Sequence, residues 1–111
     1  MKQGDVWMVD FGLPSGPEQA GQRPAVILQD TTLNQSLTTV IVVPLTTNLK
    51  RLLLPATLRI EAGEAGLTQD SVVLGYQVQV RGKARLLYRI GELSAERFTE
   101  VQDAVLTALG L

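Results

Sequence analysis

The chain has 111 residues, a formal net charge of −1, no histidine and no cysteine. The two absences exclude a Ser-His-Asp triad, an imidazole acid–base pair, a His- or Cys-ligated metal, a thiolate nucleophile and a disulfide framework. The near-neutral charge argues against gripping long nucleic acid by bulk positive potential, while leaving room for a local basic groove. Any catalysis falls to Glu, Asp, Arg, Lys, Tyr, Ser or Thr. The length suits one domain with one core over residues 1–111. No apolar run reaches the ~18 residues of a membrane span. Residues 1–5 lack the apolar core of a signal peptide, so a cytoplasmic protein with no membrane contact is expected.

Residues 5–11 alternate, with Trp7, Val9 and Phe11 on one face and Val6 and Met8 on the other. This predicts a strand covered on both sides. Residues 12–22 hold three Gly and two Pro and read as a long loop. Residues 24–29 form a second strand, and the polar stretch 30–36 is turn-like. Residues 38–45 contain Val40-Ile41-Val42-Val43, a buried central strand, with Pro44 marking its end or an edge. Residues 46–54 look irregular and carry Leu52-Leu53-Leu54 ahead of Pro55, an apolar run that is either tucked into the core or part of an interface. Residues 56–60 are a strand, and 61–70, with two Gly, a turn region. Residues 71–80 give strand signals, Gly82-Lys83 a tight turn, and residues 85–90 the last strand. Ser94 then offers a helix N-cap, with Glu96 favourable in the first turn. Phe98, Val101, Val105 and Leu109 follow at helical spacing as one core stripe, and Gly110 ends the helix. Many short strands with one terminal helix imply a mainly β chain with some α, a small, strongly bent antiparallel sheet or barrel.

The most informative stretch is Glu18-Gln19-Ala20-Gly21-Gln22-Arg23-Pro24. It sets a carboxylate and an arginine five residues apart, on a Gly-containing loop that runs into the strand Ala25-Val26-Ile27-Leu28. Pro24 fixes its own φ and biases Arg23 toward extended geometry, so Arg23 is anchored where the strand begins. The plain alternative is a surface loop with a solvated Glu and Arg.

Five blocks, in order, resemble the MazF/PemK toxins of bacterial toxin–antitoxin systems. They are Gly4-Asp5-Val6-Trp7-Met8-Val9-Asp10-Phe11, the Glu18-to-Leu28 block, Val43-Pro44-Leu45-Thr46-Thr47-Asn48, Asp70-Ser71-Val72-Val73 and Arg89-Ile90-Gly91-Glu92-Leu93. The Glu-Gln-x-Gly-x-Arg-Pro segment is the most specific of them. The resemblance covers essentially the whole chain. It implies a compact SH3-like, CcdB-type barrel with a C-terminal helix, and a homodimer. It also implies a metal-independent endoribonuclease without cofactor that cuts single-stranded RNA at a short sequence, leaving a 2′,3′-cyclic phosphate and a 5′-hydroxyl. A cognate antitoxin, expected to present an acidic, disordered segment with bulky apolar residues, would occupy the RNA site.

Such chemistry suits a chain without histidine. RNA is cut when its 2′-hydroxyl attacks the adjacent phosphate. The protein must orient that attack, accept a proton, neutralise charge on the phosphoryl oxygens and help the 5′-oxygen leave. A guanidinium matches two phosphoryl oxygens, and the resemblance carries Arg23 over as catalytic. Thr46 corresponds to the family threonine after the third strand, with a hydroxyl to donate to phosphate or fix the 2′-hydroxyl. Glu18 is either the acceptor of the 2′-hydroxyl proton or a loop anchor paired with Arg23. Arginine is a poor proton donor, so either electrostatic stabilisation suffices or water protonates the leaving oxygen.

Gln77 and Gln79 are candidate readers of base edges, or simply the wet face of a strand. Arg81, Lys83 and Arg85 around one hairpin, and Lys50 with Arg51, are candidate phosphate contacts, or solvated charge. Ser71 fits the family pattern as a support of the site. Trp7 is a core residue before it is a stacking platform. Tyr76 stands where many relatives have a polar or acidic residue, which bears on specificity. Two other readings share the fold: a CcdB-like toxin that binds gyrase without cutting, and a catalytically silent SH3-like binding module. The tail Leu109-Gly110-Leu111 lacks the aromatic residue of the gyrase-binding relatives.

Overall fold

A computed structural model describes residues 1–13, 16 and 20–111. Seven strands form one antiparallel sheet: β1 Asp5–Asp10, β2 Gln22–Ile27, β3 Thr39–Thr46, β4 Thr57–Ile60, β5 Ser71–Leu74, β6 Gln79–Gly82 and β7 Leu86–Glu92. Their order is β4-β5-β3-β2-β1-β7, with β6 paired to β3 beside this path. The end strands β4 and β7 do not pair, so the sheet curls toward a small barrel without closing. The helix α2, Ala95–Leu109, packs on it.

Alternation along the strands divides the core between two faces. Val6, Val26, Val43, Leu45 and Val73 face α2 and meet its Val101 and Val105. Val9, Phe11, Ala25, Ile27, Val40 and Val42 form a second cluster on the opposite face, with Trp7 packed against it. The two faces expected for the first strand are therefore the observed ones, and Trp7 is a half-buried packing residue. The helix begins at Ser94, whose side chain accepts from the Arg97 N–H, and ends at Gly110 with φ 75°. The stripe differs from expectation in one place. Leu109 is 57% exposed, and Ala104 is buried instead.

Five other expectations are corrected. The stretch expected to be a turn over 30–36 is a short helix, α1, Thr31–Ser36, nucleated by Asp30, whose side chain accepts from Thr32 N at 2.9 Å. Residues 46–54 are not wholly irregular: Leu49–Leu53 is a 3-10 turn capped by Asn48. The expected tight turn at Gly82-Lys83 is a 3-10 turn over Lys83–Arg85.

Pro44 does not end its strand. It is buried and pairs with Ala25, and β3 continues to Thr46. The far edge of β3 pairs with β6 through Val42 and with β5 from Leu45 onward, so Pro44 falls in the gap between the two ladders. A residue with no N–H is tolerated where the ladder is interrupted.

The single strand expected over 71–80 is two, broken by a 3-10 turn at Gly75–Gln77. A Cβ on Gly75 would lie 2.7 Å from the Ala56 carbonyl oxygen and 2.9 Å from the Ala104 backbone. The chain bends where it is pinched between the entry to β4 and α2.

Candidate functional site

Antiparallel pairing gathers chosen strand ends. β2 runs against β3 and β3 against β5, so the start of β2, the end of β3 and the start of β5 meet at one end of the sheet. Continuing the Ala25–Pro44 register by two residues sets Arg23 beside Thr46. Thr46 pairs on its other side with Val72, next to Ser71. A small cavity of about 40 Å³ lies there, lined by Arg23, Pro24, Leu45, Thr46, Thr47 and Ser71. Three residues singled out from the sequence, 23, 46 and 71, are thus brought together from distant parts of the chain.

Their hydrogen bonds differ in a way that matters chemically. Arg23 is exposed, and its Nε donates to the Ala20 carbonyl at 3.3 Å. Among the described residues no carboxylate forms an ion pair with it. Thr46 is buried, and its Oγ1 accepts from Asn48 N at 3.2 Å. That bond uses a lone pair and leaves the hydroxyl proton to donate. Ser71 is also buried, but its Oγ donates to the Gln69 carbonyl at 3.0 Å, so its proton is committed. Thr47, exposed in the same cavity, is a hydroxyl that sequence reasoning passed over; its place beside Thr46 in the Thr46-Thr47 pair was the available signal. Glu18 lies outside the described residues.

The other candidates are spread around this end and beyond it. Asp10 ends β1 opposite Gln22, and Arg85 reaches it at 3.4 Å. Arg81 stands 5.4 Å from the Phe11 ring centroid and donates to the Val80 carbonyl at 2.8 Å. These two arginines therefore flank the root of the loop leading to Arg23. The root itself is closed by Phe11 N to Gly21 O at 2.9 Å and Gly21 N to Gly12 O at 2.7 Å. Lys83 is turned elsewhere, its Nζ donating to the Asn34 carbonyl. Gln79 pairs with Val42, and its Nε2 donates to the Gln77 carbonyl at 3.1 Å. Lys50 is exposed on the turn after β3, and its neighbour Arg51 donates to the Tyr76 hydroxyl at 3.1 Å. Among the described residues no group of three or more Asp or Glu converges to hold a metal.

The ionisable groups with displaced pKa values sit beside the loop before β5. Glu64 is held below the usual carboxylate range by hydrogen bonds from Arg97, which is raised in turn. Asp70 is lowered by the Ala62 N–H and then by Arg59.

Comparison with known proteins gives the family and the fold. Residues 2–109 match the model of a family described as the PemK-like, MazF-like toxin of type II toxin–antitoxin systems. An "Endoribonuclease MazF" of Staphylococcus saprophyticus is 37% identical over 111 residues, covering all of this chain and 92% of that protein. A solved endoribonuclease in complex with its cognate antitoxin, from a mycobacterial species, superposes with a TM-score of 0.81 at 25% identity, over 100% of this chain and 96% of that one. MazF from Deinococcus radiodurans shares the fold with a TM-score of 0.85 at 24% identity, over 100% and 97% of the two chains.

Proposed function

Because the chain belongs to the PemK-like, MazF-like toxin family, we propose that it is an endoribonuclease that cuts single-stranded RNA at a short sequence without a metal ion. The carrying observation is the convergence of Arg23 and Thr46 on one cavity, the arginine without an ion-pair partner among the described residues and the threonine with its proton to give.

In the proposed reaction the RNA 2′-oxygen attacks the adjacent phosphorus while the bond to the 5′-oxygen breaks. The products are a 2′,3′-cyclic phosphate and a 5′-hydroxyl. The 2′-proton passes to Glu18 or to water, and the leaving oxygen takes a proton from water. Arg23 neutralises the charge that grows on the two free phosphoryl oxygens. Thr46 donates to one of them. Ser71, its own proton committed, holds the preceding backbone and keeps the β5 side of the cavity in place. Gln77, Gln79, Lys50 and Lys83 are proposed RNA contacts outside the reacting centre. Arg81 and Arg85 are proposed to meet phosphates from their posts at Phe11 and Asp10. The Arg85–Asp10 pair is long and largely solvent-exposed, so exchanging its carboxylate for a phosphate costs little.

The partners follow the same reading. Leu53 is 89% exposed, and a cleft of about 400 Å³ beside it is lined by Leu54, Pro55, Ala56, Tyr76, Thr107 and Ala108. With Lys50 and Arg51 nearby, this surface suits an acidic antitoxin segment carrying bulky apolar residues. The mycobacterial relative was solved with its cognate antitoxin, which supports the assignment. The chain is proposed to work as a homodimer in the cytoplasm, so its mass in solution at micromolar concentration should be twice 12.0 kDa.

The test is cleavage of a long mixed-sequence RNA in the presence of a chelator, with the fragment ends mapped and their chemistry determined. Cuts at one short motif with 5′-hydroxyl ends are expected. No cleavage by folded, antitoxin-free protein would overturn the reading and leave a binding toxin or a silent module.

A further inference from the structure

A second concavity, of about 280 Å³, adjoins the Arg23–Thr46 cavity and shares Pro24 with it as a common wall. Its floor follows from the sheet register. Met8 pairs with Pro24 on β2 and with Tyr88 on β7, so these three residues form a row across neighbouring strands. Paired residues project to the same face, and two strand spacings span ~10 Å. Leu67 and Thr68 close one side from the loop before β5. That loop is fixed: Leu67 N donates to Glu64 O at 2.9 Å, and Gly63 N to Leu67 O at 2.8 Å. Gly66 packs so closely that a Cβ there would lie 2.3 Å from the Ile90 oxygen. Tyr88, in contrast, is 54% exposed with its ring at the rim.

The lining has a chemical signature. Met8, Pro24, Leu67 and Ile90 give an apolar floor and walls, Tyr88 an aromatic face, and Thr68 a hydroxyl at the edge. It contains no cation, so it does not suit a phosphate. A flat group with an apolar face and polar edges suits it well. Pro24 lines both cavities, so the concavity adjoins the end of the sheet where β2 begins, with the Arg23 side chain itself alternating to the other face of that strand.

We propose that this concavity holds the nucleobase flanking the scissile phosphate, stacked on Tyr88 and edged by Thr68, and so fixes one position of the cleavage sequence. The inference rests on the ribonuclease reading above. Stacking on one aromatic side chain tolerates any base, and a single edge hydroxyl then biases the choice.

The experiment is cleavage of a randomised RNA pool by wild type, Tyr88→Ala, Tyr88→Leu, Tyr88→Phe and Thr68→Val, with every cut site sequenced. Melting curves serve to check folding. Tyr88→Ala is expected to raise KM about 5- to 150-fold, the range of one lost base stack, with kcat at saturating RNA largely kept. Tyr88→Leu, which keeps apolar bulk, is expected to do the same should the alanine variant not fold. Tyr88→Phe is expected to behave as wild type. Thr68→Val is expected to alter base preference at a single position adjoining the cut. As a second readout, 2-aminopurine placed there in an oligonucleotide blocked by 2′-O-methylation should be quenched by wild type and not by Tyr88→Ala.

An unchanged cut-site pattern and KM in Tyr88→Ala and Tyr88→Leu would overturn the inference while leaving the ribonuclease intact. So would a Tyr88→Ala variant that instead changes the solution mass or antitoxin affinity, since the concavity would then be a protein contact. A wild type that cuts nothing would remove the ribonuclease reading and this inference with it.

Discussion

Arg97 and Arg23 show how differently two regions of this protein use the same side chain. On the α2 side, Arg97 grips Glu64 through two bonds of 2.9 Å and reaches Glu100 at 3.4 Å. Nearby, Arg59 pairs with Asp70 at 2.6 Å, and Arg89 meets the buried Asp5 at 3.4 Å. At the junction of β2, β3 and β5, Arg23 makes one 3.3 Å bond to a carbonyl, and no carboxylate pairs with it among the described residues. A guanidinium already neutralised by a carboxylate has little to offer a phosphate; one that is not is ready to bind anions. The first region holds the sheet and helix together, and the second is the one proposed here for RNA chemistry.

The largest expected effect lies on the open side. Arg23→Ala should lower the single-turnover cleavage rate by about 10²–10³-fold, the cost of removing one charge-stabilising donor, and Arg23→Lys should restore only part of it, because an ammonium lacks the planar fork. Thr46→Val should cost about 10- to 100-fold in the same assay, as for one hydrogen bond to a charged group. If Thr46→Val instead lowers the melting temperature and leaves the rate alone, Thr46 belongs with the framework.

On the committed side the expected change is in stability. Gly75→Ala forces a Cβ against the Ala56 oxygen and the Ala104 backbone. It should destabilise by about 1–3 kcal/mol, read as a lower urea midpoint, with cleavage per folded molecule unchanged. The smallest effect is the pH dependence of the Arg97–Glu64 pair. The folded-state pKa of Glu64 is depressed, so its contribution is full above the unfolded carboxylate value of ~4.3 and is lost as pH falls through the folded one. The stability gap between wild type and Glu64→Gln should be present at neutral pH and close toward zero in acid. A gap that is constant with pH would show that the pair is not what holds this corner.

The framework was legible in the sequence where a side chain acts on its own neighbourhood. Ser94 and Gly110 bracket α2 as expected, and the alternation of Trp7, Val9 and Phe11 against Val6 and Met8 gives the two faces of β1. It was less legible where distant parts decide. Nothing near Gly75 in sequence announces that Ala104 passes within contact distance, so the strand break was hidden. Pro44 looked like a terminator because the switch of partner from β6 to β5 is a property of the sheet. The missed helix α1 had a local signal, Asp30 capping Thr32, but at six residues its polar composition reads as a turn. For the site, the resemblance of the motif blocks to a known family pointed to Arg23, Thr46 and Ser71. The row of Met8, Pro24 and Tyr88 beside them exists only in the register of three strands.

The measurement that tests this account most directly pairs Arg23→Ala with Arg97→Ala, each followed by single-turnover RNA cleavage and by thermal melting. The account predicts a crossed result: Arg23→Ala loses cleavage and keeps its melting temperature, while Arg97→Ala melts lower and, at a temperature where it is folded, cuts at the wild-type rate. An Arg23→Ala variant that still cuts at the wild-type rate would contradict it, whatever its stability.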